Sequence, residues 1–223
     1  MKIELHGTSK GRALPETSVT YASGRAVLVC AETEQRPTVL GLLASGRMRP
    51  AAGTVEIDGR TDAAAIRRLI ALVDAPGVSD PDPNVLVAGV VAEELMFAGR
   101  RSDPIAARRW LASIGHGDLA SVPISTVEPV ARLRILCELA VLRPGVEGFV
   151  LVSPDRHGGE PSVWWRLAVE FARRGLAVLV IAGRASESAL AATMHDRAPG
   201  RPPRPSRAAR VRRSPSLSRG GTR

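Results

Sequence analysis

Apolar residues arrive along this chain in two rhythms. Short uninterrupted runs, Ala26–Cys30, 149–152 and 177–181, are bounded by turn residues, as buried parallel strands are. Between them, apolar residues recur three and four apart. The sets are Val39, Leu42 and Leu43; Val87, Val90, Val91, Leu95 and Ala98; and Ala106, Trp110, Leu111 and Ile114. Two more follow, Val130, Leu133, Cys137, Ala140 and Val141, then Trp164, Leu167, Ala168 and Phe171. Each predicts a helix with one buried face, and Trp110 reads as core rather than as a docking residue. Strand followed by helix, repeated, predicts an α/β fold around a parallel sheet.

Local signals fill the gaps. Residues 1–5 and 18–21 read as short strands flanking a Gly/Pro-containing loop, 7–15. Residues 52–59, AGTVEIDG, read as the opening of a hairpin. Ala63–Leu69 looks helical, Ile70–Val73 looks like a strand, and 78–84 is a Pro/Asp-rich loop. Thr38 is a candidate N-cap, with Pro37 in the first turn as the alternative. Asp103-Pro104 and Ser162 start helices, while Gly115, Arg143-Pro144 and Arg173-Arg174-Gly175 end them.

Composition narrows the class. The 223 residues are 44% apolar, enough for one domain with a core and appendages. No apolar run reaches the roughly 18 residues of a membrane span. The start, Met1-Lys2-Ile3-Glu4-Leu5-His6, has no signal-peptide pattern, so a cytoplasmic protein is expected. Cys30 and Cys137 both sit in apolar runs and read as buried free thiols. The net charge of +9 is concentrated at one end: from Arg197 onward there are nine arginines and no acid, which leaves residues 1–196 neutral.

That tail, 198–223, is Arg/Pro/Ser-rich and has no periodicity, so it is expected to be disordered. Two readings stay open. One is a basic arm for nucleic acid or an anionic membrane surface, although no aromatic is there to stack on bases. The other is a frameshift artefact of a GC-rich coding sequence, which yields Arg, Pro, Ala and Ser.

Candidate chemistry gathers where the apolar runs end. After Ala26–Cys30 comes a polar turn, 31–37, and then a helix from Thr38. This layout holds phosphate when glycines let backbone N–H groups close on the anion, but here the turn carries Glu32 and Glu34, with Arg36 to offset them. Asp74, at the end of Ile70–Val73, is either a metal-binding carboxylate or a turn residue. After 149–152 stands a polar trio, Asp155, His157 and Glu160, either a metal or acid/base site or a solvated, capped loop.

Residues 24–50, GRAVLVCAETEQRPTVLGLLASGRMRP, continuing into AGTVEIDG, resemble the start of an ATP-binding cassette (ABC) ATPase subunit. The resemblance extends over 1–197 and implies a P-loop NTPase-like parallel-sheet core with a small helical subdomain, about 78–143. The family's phosphate loop, G-x-x-G-x-G-K-[ST], falls on Ala31, Glu34, Arg36, Pro37 and Thr38. Arg36 and Thr38 are the nucleotide-binding candidates by position alone. The family's adenine-stacking aromatic has no counterpart at Lys10-Gly11-Arg12. Its glutamine after the strand is absent at Val73-Asp74-Ala75-Pro76. Its L-S-G-G-Q signature, whose serine and glycines bind ATP held by the opposite subunit, gives way to Glu128, Pro129 and Val130. Its D-E-P-T-S-G-L-D-P segment becomes SPDRHGGEP, with Ser153 for the Mg²⁺ aspartate and Pro154 for the general-base glutamate. Ala182-Gly183-Arg184 stands where the family has Thr-His-Asp.

The resemblance implies a cytoplasmic ABC transporter ATP-binding-protein-like subunit, at the inner face of the plasma membrane. Its partners would be a membrane permease or a second ABC ATPase subunit, in a homo- or heterodimer, and its cofactors ATP and Mg²⁺. The replaced motifs imply a pseudo-ATPase with weak or no hydrolysis and no catalytic or metal residues. The alternative is a non-enzymatic binding or regulatory module working through the basic tail.

Overall fold

The computed structural model describes residues 1–32 and 36–196, the side chains of 194–196 excepted. The strands form two sheets. One is antiparallel and three-stranded, in the order β2-β1-β4, from β1 (Lys2–Lys10), β2 (Leu14–Ala22) and β4 (Ala52–Ile57). The other is parallel and four-stranded, β3-β7-β6-β5, from β3 (Ala26–Cys30), β5 (Ile70–Val73), β6 (Gly148–Val152) and β7 (Ala177–Ala182). Among the described residues seven α-helices connect or cover them: α1 (Arg36–Ala44), α2 (Ala63–Leu69), α3 (Val87–Phe97), α4 (Pro104–Ser113), α5 (Pro129–Ala140), α6 (Pro161–Arg173) and α7 (Arg184–Asp196). The parallel α/β architecture expected from the sequence is present. Among the described residues no helix is long and apolar enough to cross a membrane.

The parallel sheet separates two cores because a strand sends alternate side chains to opposite faces. Val178 and Val180 of β7 join one core with α3, α4, α5 and α6. Leu179 and Ile181 join the other, with α1, Ile66 of α2 and the inner face of the antiparallel sheet. Phe149 of β6 and Phe171 of α6 meet edge to face, with ring centroids 5.2 Å apart. Tyr21 is buried in the second core, and its hydroxyl donates to the Ala44 carbonyl at 2.7 Å.

Four expectations change. The 7–15 loop is mostly strand: β1 and β2 run as a long hairpin with register shifts after Leu5 and Thr8, and only residues 11–13 turn. Polar faces hid it, since the outer side of an antiparallel pair faces water. Strand β4 pairs with β1 rather than opening a hairpin of its own. Strand β3 lies at the edge of its sheet among the described residues, so its residues, Cys30 included, are half-buried rather than buried. Thr38 is the third residue of α1 and not its N-cap, while Pro37 lies in the first turn. Helix α1 ends at Ala44, and the turn after it uses Gly46, whose φ of +70° and 2.6 Å clearance from the Ala63 carbonyl to an added Cβ admit only glycine. Glu34 and the basic tail, 198–223, lie outside the described residues.

Candidate functional site

The C-terminal ends of β3, β7, β6 and β5 form one rim, in register through Cys30↔Ala182, Val152↔Ile181 and Val73↔Leu151. Ligands of parallel α/β sheets bind at such a rim, and the candidates among the described residues fall there or at the adjoining starts of α1, α5, α6 and α7.

Asp74 leaves β5 in the left-handed region, φ +56°, and is 1% exposed. Its Oδ1 accepts from Arg132 Nη2 of α5 at 2.8 Å and from Arg156 Nη2 at 3.0 Å. Its Oδ2 lies 2.6 Å from His157 Nε2, which donates to the carboxylate. Burial is the largest influence on this carboxyl and opposes its ionisation. The His157 hydrogen bond and the Arg132 and Arg156 charges together overcome burial and hold it below the usual carboxylate range. The carboxylate is therefore closed by Arg132, Arg156 and His157, and Asp74 is neither a free metal ligand nor a simple turn residue. Arg132 is equally enclosed, with its Nη1 donating to the Ile124 carbonyl at 3.3 Å and its Nε without a hydrogen-bond partner. Arg156 also lies 3.5 Å from Asp80.

The polar trio after β6 is dispersed. His157 turns to Asp74, as above. Asp155 Oδ2 accepts from the Gly183 N–H at 2.8 Å and the Ser186 hydroxyl at 3.0 Å. Glu160 precedes α6 without a side-chain cap hydrogen bond. Among the described residues no group of three or more His, Cys, Asp and Glu could hold a metal ion. Asp155 is joined at the start of α7 by Glu32, whose Oε1 accepts from the Arg184 N–H at 2.6 Å. Two carboxylates thus occupy the amide donors there, where the helix dipole favours negative charge.

The two nucleotide-binding candidates share α1 but differ in exposure. Arg36 is exposed at the start of α1. Thr38 is buried, its hydroxyl 3.5 Å from the Pro76 carbonyl. Ser153 ends β6 with φ +48° and is followed by Pro154, buried in a 3-10 turn. At α5, Glu128 caps its own helix: Oε2 accepts from the Ala131 N–H at 2.9 Å.

Sequence reasoning missed Arg132 and Arg156 as partners of Asp74. Arg132 carried a signal, because it stands one turn before Ile135 and Leu136 on a helix face whose other buried residues are apolar.

No family model matches the sequence, and no curated protein matches it. Solved structures do match the fold. An ATP-binding subunit of an ABC transporter is 15% identical, with TM-score 0.56, covering 84% of this chain and 82% of the other. A proposed ABC transporter ATP-binding protein from Pyrococcus furiosus is 17% identical, with TM-score 0.59, over 82% of this chain and 92% of its own. A nucleotide-free ATP-binding cassette from an ABC transporter is 14% identical, with TM-score 0.57, over 82% of each chain. The chain has the fold of the ATP-binding subunits of ABC transporters.

Proposed function

We propose that this chain is an ABC ATP-binding-subunit-like pseudo-ATPase, a cytoplasmic subunit that pairs with a membrane permease or an active ATPase partner and hydrolyses ATP poorly or not at all. The observation that carries the reading is the closed Asp74 cluster. Arg132, Arg156 and His157 hold a buried carboxylate at the rim, so those groups are committed to the fold and not to a ligand. The residues present fit ATP and Mg²⁺ poorly. Side chains replace the phosphate-loop glycines, Glu32 adds negative charge nearby, and neither Ser153 nor Pro154 offers a carboxylate. Pro154 has no group that can take a proton from water. Arg36 and Thr38 remain as the residual nucleotide contacts, an exposed cation and a buried hydroxyl.

The test is a calorimetric titration of the full chain with ATP and with ADP, each with and without Mg²⁺, beside a hydrolysis assay. No heat at millimolar nucleotide and no phosphate release is the expected outcome. Micromolar Mg–ATP binding, or turnover lost on Thr38→Ala, overturns the reading.

A further inference from the structure

Between the end of α1, strand β5 and helices α3 and α5 lies a cavity of about 160 Å³, lined by Arg47, Asp74, Val78, Glu94, Leu136 and Arg143 among others. Three of its charged groups are already paired. Glu94 holds Arg143 Nη2 at 2.7 and 2.8 Å, and Asp74 holds Arg132, Arg156 and His157.

Arg47 differs from them. Its Nη1 donates to the carbonyls of Ser45 at 3.0 Å and Ile70 at 2.8 Å. No carboxylate of the described residues pairs with it. The two carbonyls belong to the end of α1 and the start of β5, so they fix the plane of the guanidinium. Burial, then the like charges of Arg143 and Arg67, push this group below its ordinary value. A cation near the C-terminus of a helix is a common capping arrangement, and that accounts for Nη1. It leaves Nε and Nη2 of this half-buried cation without a hydrogen-bond partner among the described residues.

We propose that this cavity binds a small oxyanion, phosphate or the carboxylate of a short organic acid, with Arg47 as its main ligand and Arg143 as the second. A guanidinium offers paired N–H groups matched to two coplanar oxygens. The cavity has room for an ion of phosphate size. The proposal stands apart from the nucleotide question, since Arg36 and Thr38 do not line this cavity.

The test titrates the full chain at low ionic strength with inorganic phosphate and, separately, with succinate, following heat and the melting temperature. Saturable binding of at least one anion is expected, and the pair of titrations distinguishes phosphate from carboxylate. Arg47→Met weakens it about tenfold or more. Glu94→Gln frees Arg143 and tightens it about threefold, a gain that a folding defect in Arg47→Met cannot imitate. Absence of saturable binding to both anions overturns the proposal. So does an affinity unchanged in both variants. Loss of binding in Arg36→Ala with Arg47→Met unaffected also overturns it, because the anion then sits at the start of α1.

Discussion

The interior of the parallel sheet and its C-terminal rim solve different problems. Strands β6 and β7 are buried along their whole length and use only apolar side chains and glycine. The rim a few ångströms away is built from charge: Asp74 with Arg132, Arg156 and His157, and Asp155 and Glu32 on the amides of Gly183 and Arg184. Packing asks for volume and apolarity, which many sequences supply. Ligand handling asks for particular groups held open. At this rim the groups satisfy one another, while the fold is shared with solved structures only 14–17% identical.

The sharpest attempt to break this contrast is Asp74→Ala. It leaves Arg132 buried without its anion, and breaking a buried pair this way costs about 3–5 kcal/mol. Urea denaturation of the full chain measures it. A loss below about 1 kcal/mol means the cluster is solvated, and the rim then stops being structural. Asp74→Asn keeps the shape and removes the charge, and it is expected to remain costly.

The interior should respond to shape alone. Leu179 of β7 is fully buried, and Leu179→Ala is expected to cost about 3 kcal/mol through the cavity it leaves. Leu179→Met should cost less than about 1.5 kcal/mol. The comparison fails if the shape-conserving change is tolerated at the rim and refused in the interior.

Acid should act on the rim before the interior. The folded state holds the Asp74 carboxyl below its ordinary value, so the unfolded chain binds the proton more readily. Its contribution is present in full above the ordinary carboxylate value and is lost as pH falls through the lowered one. Stability measured against pH should fall on the acid side, and Asp74→Asn should flatten that limb. An unchanged limb in Asp74→Asn assigns the acid sensitivity to other carboxylates.

Some of this was legible in the chain. The bounds of β3, α2 and β5 follow from apolar runs and turn residues, because those signals are local. The outer strands β1 and β2 were underestimated because their solvent faces are polar. An apolar run cannot distinguish an edge strand from a central one, so Ala26–Cys30 reads as buried in sequence while β3 is half-buried at its edge. The rim was the least legible part. Asp74 lies 58 residues from Arg132 and 83 from His157, and no spacing rule reaches that far. Only the misplaced polarity of Arg132 on a buried helix face pointed to it.

The smallest expected effect tests how far the rim's self-sufficiency extends. Glu128 is exposed, so the bond from its carboxylate to the Ala131 N–H is a surface cap. Glu128→Ala removes it and should cost about 1 kcal/mol, readable as a shift in denaturation midpoint with an unchanged slope. The same substitution uncovers the amide donors at the start of α5, an end that attracts anions through its dipole. If the carboxylate does no more than cap the helix, added phosphate should leave Glu128→Ala no more stable relative to the parent. If phosphate restores the lost stability in the variant alone, Glu128 has been occupying an anion site. The rim would then differ from a ligand-binding one by single side chains rather than by its construction.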